Sequence, residues 1–322
     1  MQLSIVPRRA MRFISSALLA LTPLFPLCWA QAQPNSNKPI VFLIVIENKN
    51  AVGTGGVYGS AEAPYINKTL FPMAGVANNY FNPPGNHPSL PNYLWMEAGQ
   101  NFGIHVDGVP SQFPLSTHAH LTTLLRNAGI PWRAYAEDIS ANVCPLEPEG
   151  ARDSNGGSLY QPKHLPFVFF NDVTNGRNPA SSYCIQHIRP LNDLGGDLGR
   201  NAIGQYNFIT PNMCHDGHDS CGGNEVAHID EWLRSFLPQI LDSAQYKQGH
   251  VVVFIVTDEA ANGDGPIPFL ALGHNVRHGY RNEIRYTHSS LLRTLEEMMH
   301  VGPLLAHAAG ANDLKDLFTS LP

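Results

Sequence analysis

Two pairs of oxygen-bearing side chains, Glu47-Asn48 and Asp258-Glu259, each follow directly on a long apolar run and consist of the ligand types that hard divalent cations take. A single acidic residue at such a place reads as a helix or turn cap. Two pairs at equivalent positions, about 210 residues apart in sequence, point to one cation site. Ser89 opens the segment SLPNYLWMEA after the loop NPPGNHP (82–88), and its type and place suit a helix N-cap, with proline tolerated in the first turn. A helix N-terminus also offers amide donors and positive potential to a phosphate. A serine oxygen there, beside a divalent cation, can ionise near neutral pH and attack phosphorus. Other serine chemistries fit worse, because the chain has neither a GxSxG elbow nor an SxxK motif. The glycines of GTGGVYG (53–59) miss both the GxGxxG and P-loop spacings and read as a loop. In the HDGH segment, His215 and His218 could hold a second metal or serve as acids; protonated imidazole neutralises phosphate charge and protonates a leaving group, and acid catalysis is the favoured reading. His118, His120, His300 and His307 read as surface residues.

The elements that must position these groups are legible in part. PIVFLIVI (39–46) and HVVVFIVT (250–257) are continuous β-branched apolar runs, which predicts strands buried on both faces of a parallel sheet. Trp132–Ala136, Phe167–Phe170, Tyr206–Thr210 and Ile267–Leu272 are weaker strand candidates. A helix capped by Thr117 and stopped by Gly129, and amphipathic helices over 225–242 and 287–300, alternate with them. The alternation predicts a doubly wound α/β domain, in which ligands bind beyond the carboxyl ends of the strands. That edge is where Glu47-Asn48 and Asp258-Glu259 fall.

Six segments in this order resemble the phosphoesterase family that contains bacterial acid phosphatases and phospholipases C, within the alkaline phosphatase superfamily. They are VIEN (45–48), HPSLPNY (87–93), the KH of PKHLPFVFF (162–170), ITPNMCHDGHD (209–219), TDE (257–259) and YTHSSLLRTLE (286–296). The resemblance implies an alkaline-phosphatase-like fold, a mostly parallel doubly wound sheet with helices on both faces. It implies Glu47, Asn48, Asp258 and Glu259 as metal ligands, and Ser89 as nucleophile and fifth ligand. Asn92 becomes a phosphate binder, because SLPN is similar to the TFPN of nucleotide pyrophosphatases. His87, Lys163, His164, His215, Asp216, His218 and His288 form the implied polar wall, with His288 or His215 as the proton donor. Glu-Asn and Asp-Glu stand where classical alkaline phosphatases have a lone aspartate and Asp-His. The departure favours one hard cation, Ca²⁺ or Mg²⁺ ahead of Mn²⁺ or Zn²⁺, over a two-zinc site.

Residues 1–32 read as a secretory signal with a basic start, an apolar run from Phe13 to Trp29 and cleavage after Ala32; Arg8-Arg9 adds a hint of a twin-arginine route. The remainder, 33–322, reads as one domain without an integral membrane segment, exported to a periplasm or beyond. The formal net charge is −6, and Arg8, Arg9 and Arg12 leave with the signal, which excludes a binder of nucleic-acid backbones. Four cysteines then remain in an oxidising compartment, and of three possible pairings Cys144–Cys184 with Cys214–Cys221 is favoured, since the second brackets the short His-rich loop. A Cys/His metal site is disfavoured by the lack of CxxC. The expected activity is that of an exported, metal-dependent acid phosphatase on phosphate monoesters with a phosphoserine intermediate. A phospholipase C acting on phosphodiester lipids is the alternative, so the partner is a small phosphate ester or a phospholipid headgroup. A secreted lipid-headgroup or carbohydrate binder is disfavoured, since a binder needs no ionisable serine.

Overall fold

Both apolar runs are strands, Ile40–Ile46 and Val251–Thr257, and every residue in them is buried. They pair in parallel, in a register that sets Ile46 opposite Thr257 and so brings Glu47 beside Asp258. The computed structural model describes residues 1–3, 34–35, 38–153 and 156–322. The expected signal, beyond its first three residues, and its cleavage point lie outside the described residues. Around the central pair an eight-stranded sheet runs in the order Tyr280–Asn282, Ala74–Ala77, Phe269–Gly273, Val251–Thr257, Ile40–Ile46, Tyr206–Thr210, Trp132–Ala136, Ile188–Pro190. Phe269–Gly273 runs against its two neighbours, and the other pairings are parallel. Two apolar clusters pack the sheet, one including the helices Ser89–Ala98 and His288–Met299, the other the helix Glu225–Phe236. The fold is therefore α/β with a mostly parallel sheet between helices, as the alternation predicts. The unit Gln31–Pro322 is compact by itself, whereas its companion Met1–Ala30 falls almost wholly outside the described residues.

Several expectations need correcting. Phe167–Phe170 is no strand: Pro166 opens a short 3₁₀ turn, Pro166–Phe169, because its fixed φ suits a first helical position and it cannot donate to a ladder. The helix expected from Thr117 starts at Leu121, with His120 at its N-cap. The 225–242 helix stops at Phe236, and Pro238 opens a separate turn, Pro238–Leu241. Ser89 is the first residue of its helix, preceded by Pro88 at the N-cap, so its hydroxyl is free for another partner. That helix ends at Gly99, with φ of 70°, where a Cβ would lie 2.8 Å from the Leu305 carbonyl oxygen. Both cysteine pairs are the favoured ones, with Cα separations of 5.5 and 5.7 Å. No helix among the described residues is long and apolar enough to cross a membrane.

His120 departs furthest from expectation. It is fully buried, with Nδ1 3.0 Å from Glu97 Oε1 and Nε2 3.0 Å from Asp172 Oδ1. Glu97, near the end of the Ser89 helix, also accepts from the Thr122 amide at 2.8 Å and so caps the next helix. Burial pulls the His120 pKa down, but the hydrogen bonds to Asp172 and Glu97 outweigh it and leave the value raised. A histidine whose folded pKa is raised contributes its full stability below its unfolded pKa, about 6.5, and loses it as pH climbs through the folded value. His120→Leu should therefore destabilise the protein by about 3 kcal/mol or more at pH 5.5, since it strands two carboxylates. Denaturant titrations should show a smaller deficit at pH 9; a deficit that does not change with pH would contradict the charge pairing.

Candidate active site

The carboxyl edge of the sheet gathers acidic groups from three strand ends. Glu47 follows the first strand; its amide donates to the Asp216 carbonyl oxygen at 2.8 Å, and the Asn48 amide donates to Asp258 Oδ1 at 3.0 Å. Asn48 takes φ of 46°, a left-handed conformation that asparagine tolerates. Asp216 arrives through the loop after Tyr206–Thr210. Glu47, Asp216 and Asp258 are all buried, and burial raises each pKa; Asp258 adds to the rise of both Glu47 and Asp216. No hydrogen bond reaches Glu47 Oε1, Asp216 Oδ2 or Asp258 Oδ2. His164 stands between two of these atoms, with Nε2 3.2 Å from Glu47 Oε1 and Nδ1 3.3 Å from Asp216 Oδ2, and stacks on Tyr93 at 5.0 Å. Burial, then the Lys163 and His218 charges, push the His164 pKa well down and keep the ring neutral.

Ser89 joins this group directly. Its Oγ donates to Glu47 Oε2 at 2.9 Å, and both residues are buried. The helix N-terminus beside it is less open than expected: the Leu90 amide is taken by Asp107 Oδ1 at 3.0 Å, and Pro91 has no amide proton. Lys163 Nζ donates to the other Asp107 oxygen at 2.8 Å. Burial works against its charge, but Glu47 and Asp107 outweigh that and raise the lysine's pKa. Asn92 Nδ2 donates to the Asn86 carbonyl at 2.8 Å and to Glu259 Oε2 at 3.2 Å, so Asn92 braces the loop rather than lying free. Glu259 also pairs with His87 Nδ1. Burial and the Asp258 charge raise the Glu259 pKa to about 8. Asn48, His87, His218 and Glu259 line an open cleft of ≈ 430 Å³.

Two expected positions are not in this group. His288 is fully buried, its Nδ1 3.1 Å from the Tyr80 hydroxyl and its Nε2 on the Asp258 carbonyl oxygen, and burial lowers its pKa to about 4. It braces the strand end behind Asp258 and does not reach the cleft. His215 turns to Glu137 Oε2 at 2.8 Å and lines a separate groove of ≈ 630 Å³ with Trp232 and His228. His218, three residues on in the same bridged loop, lines the cleft. The turn between them passes through Gly217, at φ of 89°, where a Cβ would lie 2.4 Å from Ile229 Cδ1. Sequence reasoning missed Asp107, Asp264 and Lys49. Asp264 Oδ1 sits 3.0 Å from His87 Nε2, while Lys49 Nζ donates to the Gly217 carbonyl at 2.7 Å and to Glu225 at 2.8 Å. Each is a lone charged residue in a loop, and only the buried setting of Lys49, next to Glu47-Asn48, could have drawn notice.

A profile of the Phosphoesterase family matches residues 46–302, from the strand end that carries Glu47 to just past the His288 helix. The chain belongs to the phosphoesterase family. It is 28% identical to a phosphatidylinositol-3-phosphatase of Mycobacterium tuberculosis over 86% of this chain and 82% of that protein. It is 29% identical to a phosphate-repressible acid phosphatase of Penicillium chrysogenum over 71% of this chain and 53% of that one. An acid phosphatase of Aspergillus niger matches at 27% over 70% and 52%. The chain thus spans about half the length of the fungal relatives. Among solved structures, a Vibrio parahaemolyticus protein of the alkaline phosphatase superfamily superposes with a TM-score of 0.54 at 12% identity, over 88% of this chain and 71% of that one. The phosphonate monoester hydrolase of Agrobacterium radiobacter gives 0.51 at 12%, over 88% and 77%. At that identity the likeness establishes the alkaline-phosphatase-like fold.

The family fold implies a divalent cation. Among the described residues no three His, Cys, Asp or Glu side chains form a ready-made cage. The unsatisfied buried oxygens of Glu47, Asp216 and Asp258 nonetheless fit a hard cation, because three like charges held together out of water call for a positive partner. Carboxyls whose folded pKa values lie above the unfolded ones favour the folded state less as pH rises past about 4 toward those values. In chelator, the melting temperature should therefore fall between pH 5 and pH 8, and Mg²⁺ or Ca²⁺ should restore it by binding the native state. Glu47→Gln should flatten the fall. A profile in chelator that is level over this range would show that the three carboxyls do not repel one another.

Proposed function

We propose that the protein is a divalent-metal-dependent acid phosphatase that hydrolyses phosphate monoesters through a phosphoserine on Ser89. The observation that carries this reading is the Ser89 hydroxyl hydrogen-bonded to buried Glu47, within the carboxylate cluster at the carboxyl edge of the sheet. Glu47, Asn48, Ser89, Asp258 and Glu259 would hold the cation, with Asp216 next to them; bound there, the cation supplies the positive charge that stabilises an ionised serine and the phosphoryl oxygens.

The chain's own groups divide the remaining work. Glu47 Oε2 holds the Ser89 proton and is placed to take it as Oγ attacks phosphorus. Lys163 offers a cationic donor to a phosphoryl oxygen. His218 stands at the cleft with Nδ1 2.8 Å from Asp219 Oδ1, a contact that orients the ring. It takes over the proton-donor role that sequence reasoning gave to His288 or His215. Water then hydrolyses the phosphoserine, with the same imidazole returning as base. Relatives named as acid phosphatases and as a phosphatidylinositol-3-phosphatase support a monoester substrate. The two disulfides suit an oxidising compartment, which supports export.

Ser89→Ala should lower turnover of an aryl phosphate by about three or more powers of ten, since it removes the nucleophile and the covalent route. Acid quenching of the unaltered enzyme during turnover should leave phosphate on the peptide that contains Ser89. A chiral phosphate should emerge with retained configuration, from two displacements. Inversion at phosphorus, or near-normal turnover by the alanine variant, would reject Ser89 as nucleophile. Exhaustive chelation should abolish activity and a divalent ion should restore it, whereas full activity without metal would reject the cation.

A further inference from the structure

The first amide donor after the nucleophile is the Leu90 N–H, since Pro91 has none. The Lys163 ammonium lies within electrostatic reach of both Glu47 and Asp258. An incoming phosphoryl group carries two or more anionic oxygens and would use these two donors together. In the structure both are engaged by one side chain: Asp107 Oδ1 accepts from the Leu90 amide at 3.0 Å and Asp107 Oδ2 from Lys163 Nζ at 2.8 Å. A carboxylate bridging the two donors with separate oxygens matches the way a phosphate would bridge them. Asp107 lies on the loop that follows the Ser89 helix, next to Val106, which is 55% exposed; the Asp107 side chain itself is a third exposed. It can therefore leave these donors for water without opening the core.

We propose that Asp107 is an internal stand-in for the substrate phosphate, a displaceable carboxylate that holds the Leu90 amide and the Lys163 ammonium until a phosphate takes its place. The inference rests on the reading of Ser89 as the nucleophile. With Asp107 in place, the Lys163 ammonium is held on its carboxylate. The cost falls on affinity, because a ligand that must displace an occupant binds more weakly by the fraction of molecules in which the site is open. The chemical step after displacement is untouched. Asp107 thus sets KM and leaves kcat, which separates it from a residue that aligns Lys163 for catalysis.

Asp107→Ala removes both acceptors and tests the proposal. Inorganic phosphate, titrated calorimetrically into metal-loaded Ser89→Ala protein with and without Asp107→Ala, should bind tighter by about three-fold or more when the carboxylate is gone. In the Ser89 background, KM for an aryl phosphate should fall by a similar factor at unchanged kcat. Adding Lys163→Met should abolish the gain. Asp107→Asn keeps the side-chain volume and should show the same direction if the alanine variant melts early. Weaker phosphate binding, or a loss of kcat at constant KM, would overturn the proposal and make Asp107 a positioning residue for Lys163. Identical binding and kinetics would reduce the contact to a surface ion pair. The titration needs no turnover, so a fully active Ser89→Ala protein would sink the nucleophile reading on separate grounds.

Discussion

Like charge held out of water is the constraint on which the rest of this structure depends. Glu47, Asp216 and Asp258 lie where the strands of a buried parallel sheet run out, and each is buried. A carboxylate in such a setting must be protonated, paired or bound to a cation. Much of the surrounding architecture follows from that choice. Lys163 is held charged beside Glu47 and Asp107, and burial, with the Lys163 and His218 charges, keeps His164 neutral although it lies between two of the acids. The Ser89 hydroxyl donates to one of these acids, Glu47. The loops that deliver these groups are locked to one another by Lys49, whose ammonium bonds the backbone of one loop and the acid that opens the Glu225–Phe236 helix. The chemistry and the packing share one cause.

The parts legible in the sequence were those governed by long-range averages. The runs ending at Ile46 and Thr257 are so uniformly apolar that only a strand covered on both faces accommodates them, and the acidic pairs beyond them therefore had to meet at one edge. Family motifs then named the serine. What stayed hidden was direction. His215 and His218 have the same type and nearly the same place, yet the turn at Gly217 sends one to the cleft and the other to a groove shared with Glu137. His288 reads as a polar site residue, but as the first residue of its helix it points into the core and grips a carbonyl. His120 looked like a surface residue at a helix start, and Glu97, 23 residues before it, turned it inward.

A different kind of information was missing for Asp107 and Asp264. Each acts through two or three hydrogen bonds made across a loop, and no periodicity or spacing precedes such contacts in the sequence. The Ser89 segment shows the same limit from the other side. A serine two residues before Pro91 predicted an N-cap, but Pro88 takes that place and Ser89 becomes the first helical residue, its hydroxyl donating to Glu47. Local preference was correct about the helix and silent on the side chain that matters most.

The pairing of Ile40–Ile46 with Val251–Thr257 also decides when the centre comes into being. Glu47 and Ser89 belong to the first third of the chain, whereas Asp258 follows Glu47 by 211 residues and Ser89 by 169. Contacts so remote in sequence form late, because the intervening loop must be closed before they repay its entropy. A chain still being made therefore carries Glu47 and Ser89 before the residues that complete their surroundings exist. Assembly of the carboxylate cluster and completion of the fold are then a single event.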